Sequence, residues 1–342
     1  MVSRRLTPDS ELPDRPRKDE VAAKYGEFLE KMRTEIRSRH YSPRTEETYL
    51  GWMVRFISFH GLKSPEEFPA GAMNEYLQYL ALRREVSAST QNQALNALVF
   101  MFKHVLKIDP GDFGDYAVAK PRRRMPIVLT KEEAQKLLEA MSGVCRLMGY
   151  LLYGSGLRLM ECIRLRVMDI DFGSCQVLVR DGKGRKDRVT MFPKCCEDSL
   201  KDHLKGVKAL HEKDLANGFG KTVLPHEIEN TDPSADVRWG WQYVFPGNRL
   251  TVDQKSGRVF RDHIHQTTLQ VAVKDASEKA GLNKQVSCHV LRHSFATHLL
   301  ENGCNIREVQ ELLGHSSVAT TMIYTHVANQ SVPNIRSPLD GL

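Results

Sequence analysis

Residues 289–300 read His289-Val-Leu-Arg292-His293-Ser-Phe-Ala-Thr-His298-Leu-Leu, and Gly303 closes the stretch. The apolar spacing predicts a helix with Leu291, Phe295 and Leu299 as its buried ridge, on which His289 and Arg292 are i,i+3 neighbours. One face of that helix therefore presents an imidazole and a guanidinium together. Downstream, Asn305 with Glu308 three residues on reads as the start of a second helix, which buries Ile306, Val309, Leu312 and Leu313 and stops at Gly314. His315 sits where the chain leaves this helix, and Tyr324 follows within Thr320-Thr-Met-Ile-Tyr-Thr-His326.

Cations, imidazoles and one tyrosine suit chemistry at phosphorus. A phosphodiester under attack gathers negative charge on its non-bridging oxygens, and preorganised guanidinium and imidazole donors stabilise that charge more in the transition state than in the ground state. They take the place of a metal. A tyrosine hydroxyl, with a reference pKa of ~10, needs nearby cations or a base to favour the phenolate. Its attack leaves a covalent phosphotyrosine that conserves the energy of the broken bond. Upstream, Gly154-Ser-Gly-Leu-Arg158-Leu-Met-Glu161 puts an arginine after a glycine turn at a helix start, with Glu161 one turn later to hold it. Residues 176–179 and 188–192 flank Asp181-Gly-Lys183-Gly184 and read as a β-hairpin with a glycine-rich tip. Lys183, at that tip, is the candidate general acid for a leaving 5′ oxygen.

With 342 residues the chain is long enough for two domains. Residues 28–107 predict helices only. Ser42-Pro43 is an N-cap followed by proline at the first helical position, with Tyr49, Met53, Phe56 and Ile57 on one face until Gly61. Met73, Tyr76, Leu77 and Leu80 mark another helix. The strongest stripe is Leu95, Leu98, Val99, Phe102, Val105 and Leu106, on a helix beginning near Ser87 or Ser89. Thr130 with Glu133 has the form of a capping box that opens the second domain. The expected organisation is a disordered segment over 1–22, a helical domain over 23–108, a basic linker over 109–126, a catalytic domain over 127–328 and a tail over 329–342. The catalytic domain carries a poorly patterned insertion at about 206–262. The fold class is mostly helical, with a small β-sheet or hairpin in the second domain.

No apolar run approaches a membrane span, and the first twenty residues lack the apolar core of a signal peptide, so a cytoplasmic location is expected. The net charge of +7 favours a polyanionic partner only weakly, but its location is more telling. Lys120, Arg122, Arg123 and Arg124 fall in the linker, and residues 180–188 hold five basic against two acidic side chains, Arg185 and Lys186 among them. These are candidate phosphate contacts, although the linker run also reads as a solvated charge run. Seven cysteines with no C-x-x-C pair suggest reduced thiols. His289 and His293 stand at i,i+4, as zinc ligands on a helix do. The glutamate of H-E-x-x-H is absent, however, and Arg292 would bring a second positive charge to the ion, so no metal is expected.

The set Arg158, Lys183, His289-x-x-Arg292, Leu313-Gly314-His315 and Tyr324 resembles the tyrosine recombinase (phage integrase) family, and the likeness covers nearly the whole chain. It implies a helical, SAM-like core-binding domain and a mixed catalytic domain closing on DNA as a C-shaped clamp. It also implies site-specific strand exchange with no metal, nucleotide cofactor or small-molecule substrate, through a 3′-phosphotyrosyl intermediate in a synaptic homotetramer. Arg158 and Arg292 would clamp the phosphate, His289 and His315 would supply hydrogen bonds and proton transfer, and the tail after Tyr324 would dock on a neighbouring protomer. Met160 departs from the small polar residue more usual in the family, at a position that is not a reactant.

Within the family the chain resembles integron integrases most. The likeness rests on Ser42-x-Arg44-Thr45-Glu46, the Thr320 to Val327 block, Arg336-Ser-Pro-Leu-Asp340 and the long interval between Lys183 and His289. In integron integrases an extra helix in this interval helps recognise folded single-stranded sites by their extrahelical bases. The matching segment here is Leu224-Pro-His-Glu with Arg238-Trp239-Gly-Trp241-Gln-Tyr243-Val-Phe245-Pro246. An aromatic face can stack on an unpaired base at ~1–3 kcal/mol. Trp239 and Trp241 read equally well as core packing under the insertion. His263 is a candidate base contact, although Asp262 beside it would repel phosphate. The expected partners are a duplex site and a folded hairpin site, and the expected setting is a bacterial nucleoid. Two alternatives stay open, a phage-type or chromosome-dimer recombinase confined to duplex sites, and a DNA-binding accessory protein without catalysis.

Overall fold

A computed structural model describes residues 18–68, 71–109, 125–180, 187–253, 256–315 and 317–328. The chain divides into two compact units, with the boundary between Arg124 and Met125.

The first unit is built on four helices, α1 (Lys18–Ser38), α2 (Pro43–Phe59), α3 (Ala72–Leu82) and α4 (Ala88–Phe100). Ser42 and Ser87 cap α2 and α4 as the sequence predicts, their hydroxyls accepting from the backbone N–H of Thr45 and Thr90 at 3.1 and 3.2 Å. α1 begins inside the stretch expected to be disordered, because Val21 is needed in the core and is fully buried there. The last apolar stripe does not continue as α-helix. It widens into a π-helical turn over Met101–Leu106 that Lys107, at φ 59°, brings to an end. Phe56 anchors the interior, meeting Phe68, Tyr76 and Phe102 edge to face at 4.8–6.2 Å between ring centres.

The second unit opens with α5 (Lys131–Ala140), held by the predicted Thr130–Glu133 capping box, followed by α6 (Gly143–Gly154) and the short α7 (Leu159–Ile163). An antiparallel sheet in the order β1 (Ile170–Asp171), β2 (Gln176–Val179), β3 (Arg188–Met191) contains the predicted hairpin, with Val179 opposite Arg188 at the base of its tip. α8 (Glu197–Ala216) runs on into the insertion, which continues with α9 (His226–Thr231) and a second hairpin, β4 (Pro246–Val252) and β5 (Val259–His263). The sequence reading missed this hairpin. Its strands are half-exposed on both faces and carry a register break between Pro246 and Leu250, so no alternation marks them. Arg166 ties the insertion to the sheet. Its guanidinium donates to Thr222 Oγ1, Trp241 O and Val223 O at 3.0, 2.9 and 2.5 Å and lies 3.6 Å over the Tyr243 ring.

α10 (Gln266–Lys279) leads to the three helices that carry the site, α11 (Cys288–Glu301), α12 (Ile306–Leu313) and α13 (Val318–Ala328). α11 is buried more widely than its predicted ridge, since α6, α12 and α13 all pack on it. Arg292, Ser294, Thr297 and His298 are buried along with Leu291 and Phe295. Glycine at 156 is required twice over, because its φ is +62° and a Cβ there would lie 2.4 Å from Phe295 ring carbons of α11. Gly156→Ala is expected to cost roughly 2–5 kcal/mol from left-handed strain and overpacking. Thermal unfolding of the full chain checks this, and an unchanged melting temperature is the contrary result.

Candidate active site

Arg158 stands at the N-cap of α7, directly after the turn that Gly156 makes possible. Glu161, one turn on, accepts from the Arg158 backbone N–H at 2.8 Å and from its Nη1 at 2.6 Å, the hold read from the sequence. A second arginine meets the same carboxylate. Arg188, at the start of β3, donates Nη1 and Nη2 to the two oxygens of Glu161 at 2.9 and 2.7 Å, while its Nε donates to Leu312 O at 2.8 Å. Gly314, in the left-handed region, leaves room for this side chain, since a Cβ would sit 2.7 Å from Arg188 Cδ. Arg292 Nη1 comes within 3.6 Å of Glu161 Oε2, so one buried carboxylate serves three guanidinia. Burial acts to raise the pKa of Glu161, but the hydrogen bonds and charge of Arg188, then those of Arg158, win and hold it at about 2.

Arg292 is 3% exposed and is anchored from behind, Nη1 donating to Gly156 O and Nη2 to Leu313 O at 2.6 Å. Carbonyls use only part of its five-donor fork, so further N–H groups remain to meet an anion. Its Nη2 also lies 3.3 Å from His315 Nε2. A guanidinium has no acceptor, so Nε2 must be the accepting nitrogen and His315 is the Nδ1–H tautomer, donating to Thr321 Oγ1 at 3.0 Å. Burial, and then the charge of Arg292 and its neighbours, lowers the His315 pKa to about 4 and keeps the ring neutral.

α13 brings Tyr324 onto this cluster. Its ring packs with Phe295, Val309 and Leu313, is nearly parallel to His315 at 21°, and is 4% exposed. Its hydroxyl lies 2.9 Å from His293 Nδ1. The nearby cations do pull this hydroxyl toward the phenolate, but they do not prevail in the resting site. Burial raises the Tyr324 pKa against the opposing pull of Arg292 and Arg158, so the resting group is the neutral phenol. His289 is exposed at the rim of α11, with desolvation by adjacent atoms and the charges of Arg292 and Arg158 lowering its pKa.

The structure thus brings Arg158, Glu161, His289, Arg292, His315 and Tyr324 together, and it adds Arg188, which the sequence marks only as part of a basic run of candidate phosphate contacts, and His293, which it weighs only as a zinc ligand. Lys183, Arg185, Lys186, Lys120, Arg122, Arg123 and Arg124 lie outside the described residues. Trp241 is 8% exposed, packed with Leu224 and Ala235 under the Arg180 guanidinium, so it presents no free ring face for base stacking. Trp239 is half-buried beside His211. His263 is largely committed, Nδ1 bonding Ile264 O at 2.9 Å with its ring against Tyr243. Among the described residues no three of His, Cys, Asp and Glu group as a metal site, and no helix is long and apolar enough to cross a membrane.

A sequence model of the phage integrase family matches residues 127–331, and one of the phage integrase N-terminal SAM-like domain matches residues 28–112. The chain belongs to the phage integrase family of tyrosine recombinases. The recombinase is 44% identical to an integrase/recombinase of Escherichia coli, over 92% of this chain and 93% of that one. It is 32% identical to tyrosine recombinase XerA of Thermococcus onnurineus, over 88% and 91%. Among solved structures, the XerH site-specific recombinase bound to palindromic difH substrate shares its fold with a TM-score of 0.61 at 21% identity, over 95% of this chain and 89% of that one. The expected fold class, a helical domain followed by a mixed catalytic domain, is met in this recombinase.

Proposed function

We propose that this tyrosine recombinase cuts and rejoins DNA strands at specific sites with Tyr324 as nucleophile and a 3′-phosphotyrosine as intermediate. The supporting observation is that α13 delivers the Tyr324 hydroxyl, in the same chain, to the cluster formed by His293, His315 and Arg292. Arg158 and Arg292, set by Glu161 and by backbone carbonyls, clamp the scissile phosphate and stabilise the charge that develops on it. His289 and His315 contribute hydrogen bonds at the phosphate. Lys183 protonates the leaving 5′ oxygen, so no metal or cofactor is called for. Lys120, Arg122, Arg123, Arg124, Arg185 and Lys186 meet phosphates along the DNA, and the tail over 329–342 docks on a neighbouring protomer of a tetramer. The setting is the bacterial cytoplasm, at the nucleoid.

The finer reading is an integron integrase, acting on gene cassettes at duplex sites and at folded single-stranded hairpins with extrahelical bases. It is supported by the insertion, whose α9 supplies a helix between the hairpin and α11, and by a cavity of about 450 Å³ between the insertion and the sheet. Arg166, Arg180, Leu224, Tyr243, Phe260 and His263 are among its walls. Arg166 and Tyr243 are stacked on each other, so on this wall it is the half-buried Phe260 ring that a planar base can meet. The test is binding to a folded hairpin with and without its bulged bases. Stacking of ~1–3 kcal/mol predicts about 5- to 150-fold tighter binding of the bulged form. That preference is expected to shrink in Trp239→Ala, whose ring is the more open of the two tryptophans. Equal affinity for the two hairpins would instead assign the chain to duplex sites.

A further inference from the structure

We propose that His293 is a catalytic residue, holding the Tyr324 hydroxyl through Nδ1 and taking its proton as the oxygen attacks phosphorus. The proposal rests on the reading of Tyr324 as nucleophile. A buried neutral phenol needs an acceptor for its proton, and two imidazoles lie against it, with a third beside one of them. His315 has both nitrogens engaged, Nε2 by Arg292 and Nδ1–H by Thr321, and its ring stacks on the tyrosine at 6.2 Å between centres. His289 is one turn back on α11, its ring centre 6.4 Å from that of His293. His293 is the imidazole within hydrogen-bond distance of the hydroxyl, at 2.9 Å.

The groups facing His293 are His289 and Arg292 from its own helix, Tyr324 from α13, and His315 from the loop after α12. Burial, then His289 and Arg292, lower its pKa to about 4, so at neutral pH the ring is neutral and carries a lone pair. So weak a base does not ionise the phenol in advance. As the oxygen bonds to phosphorus, however, its own affinity for the proton collapses, and transfer then proceeds in the same step. The incoming phosphodiester also offsets the charge of Arg292, which makes His293 more basic when substrate is present. The balance is complete. The proton leaves Tyr324 Oη for His293 Nδ1, the Oη–P bond forms, the P–O5′ bond breaks, and Lys183 protonates the leaving oxygen. Religation runs the same path backwards, with His293 returning the proton to Tyr324.

Single-turnover cleavage by the full chain separates this role from others. The substrate is a nicked DNA with sulfur bridging at the scissile 5′ position, because a thiolate leaves without protonation and removes the general acid from the rate. His293→Leu is expected to cleave ~10²–10⁴-fold more slowly with DNA affinity unchanged. His293→Asn, whose Oδ1 holds the hydroxyl but takes no proton, is expected to be slow at every pH. Wild type, by contrast, slows on acidification as the imidazole protonates. Wild-type rates in His293→Leu with Tyr324→Phe inactive would overturn the proposal and leave the nucleophile standing. Wild-type rates in His293→Asn would reduce His293 to holding the hydroxyl and overturn its role as proton acceptor. Cleavage by Tyr324→Phe would overturn the underlying reading instead.

Discussion

Tyr324→Phe is expected to form no covalent adduct on a nicked suicide DNA that wild type captures in denaturation-resistant form, while its non-covalent affinity for the same DNA is retained. The substitution removes one oxygen from a ring that otherwise stays packed between Phe295, Val309 and Leu313. The hydrogen bond to His293 is lost at a cost of about 1 kcal/mol, too little to unfold the unit. Among the described residues the nearby Thr321 hydroxyl is fully buried and held by His315 Nδ1, so it is not presented as a replacement nucleophile. Because burial keeps the resting phenol neutral, adduct formation is expected to depend on DNA assembling the site and not on alkaline pH. The wild-type adduct is expected to survive a chelator. Adduct in Tyr324→Phe would remove the nucleophile from the scheme, and loss of wild-type adduct on chelation would call for a metal.

Local signals carried most of what the sequence revealed. The caps at Ser42, Ser87, Thr130 and Asn305 are written within four residues, and each is formed. The Arg158–Glu161 hold and the His289–Arg292 pair are one-turn relations that a helix settles by itself. Arg188 escaped because its partner lies 27 positions back and only the register of β2 with β3, which sets Arg188 opposite Val179, swings it over Glu161. A surplus of arginine at a hairpin base was a signal, but it was read as a phosphate contact. His293 was weighed only as a zinc partner of His289, since nothing local shows that α13 returns a hydroxyl to it. Trp241 followed the same logic in reverse. Its aromatic run read equally as a stacking surface and as core packing, and the fold uses the ring within the insertion, packed against Leu224 and Ala235.

Glu161→Ala is expected to lower stability by roughly 3–5 kcal/mol, because it leaves buried guanidinia with no carboxylate among them. For a unit of this size that is a fall in melting temperature on the order of 10 °C at pH 7. The pH dependence has a definite sign. Despite burial, which raises it, the Glu161 pKa is held at about 2 by Arg188 and Arg158, against 4.5 for a free carboxyl. Its contribution is therefore full above about pH 4.5 and lost as pH falls through about 2. The gap in melting temperature between wild type and Glu161→Gln is expected to close over that window, and a gap that stays constant there would contradict the assignment. Removing a negative charge also makes the phosphate site more positive, so ground-state affinity for DNA is expected to hold or rise. Cleavage is nevertheless expected to fall ~10²-fold, since Arg158 and Arg188 lose the group that fixes their geometry and a displacement of about 1 Å is enough for that loss. Opposite movements of affinity and rate distinguish a carboxylate that positions the clamp from one that merely dilutes its charge. In the latter case cleavage by Glu161→Gln would rise along with binding.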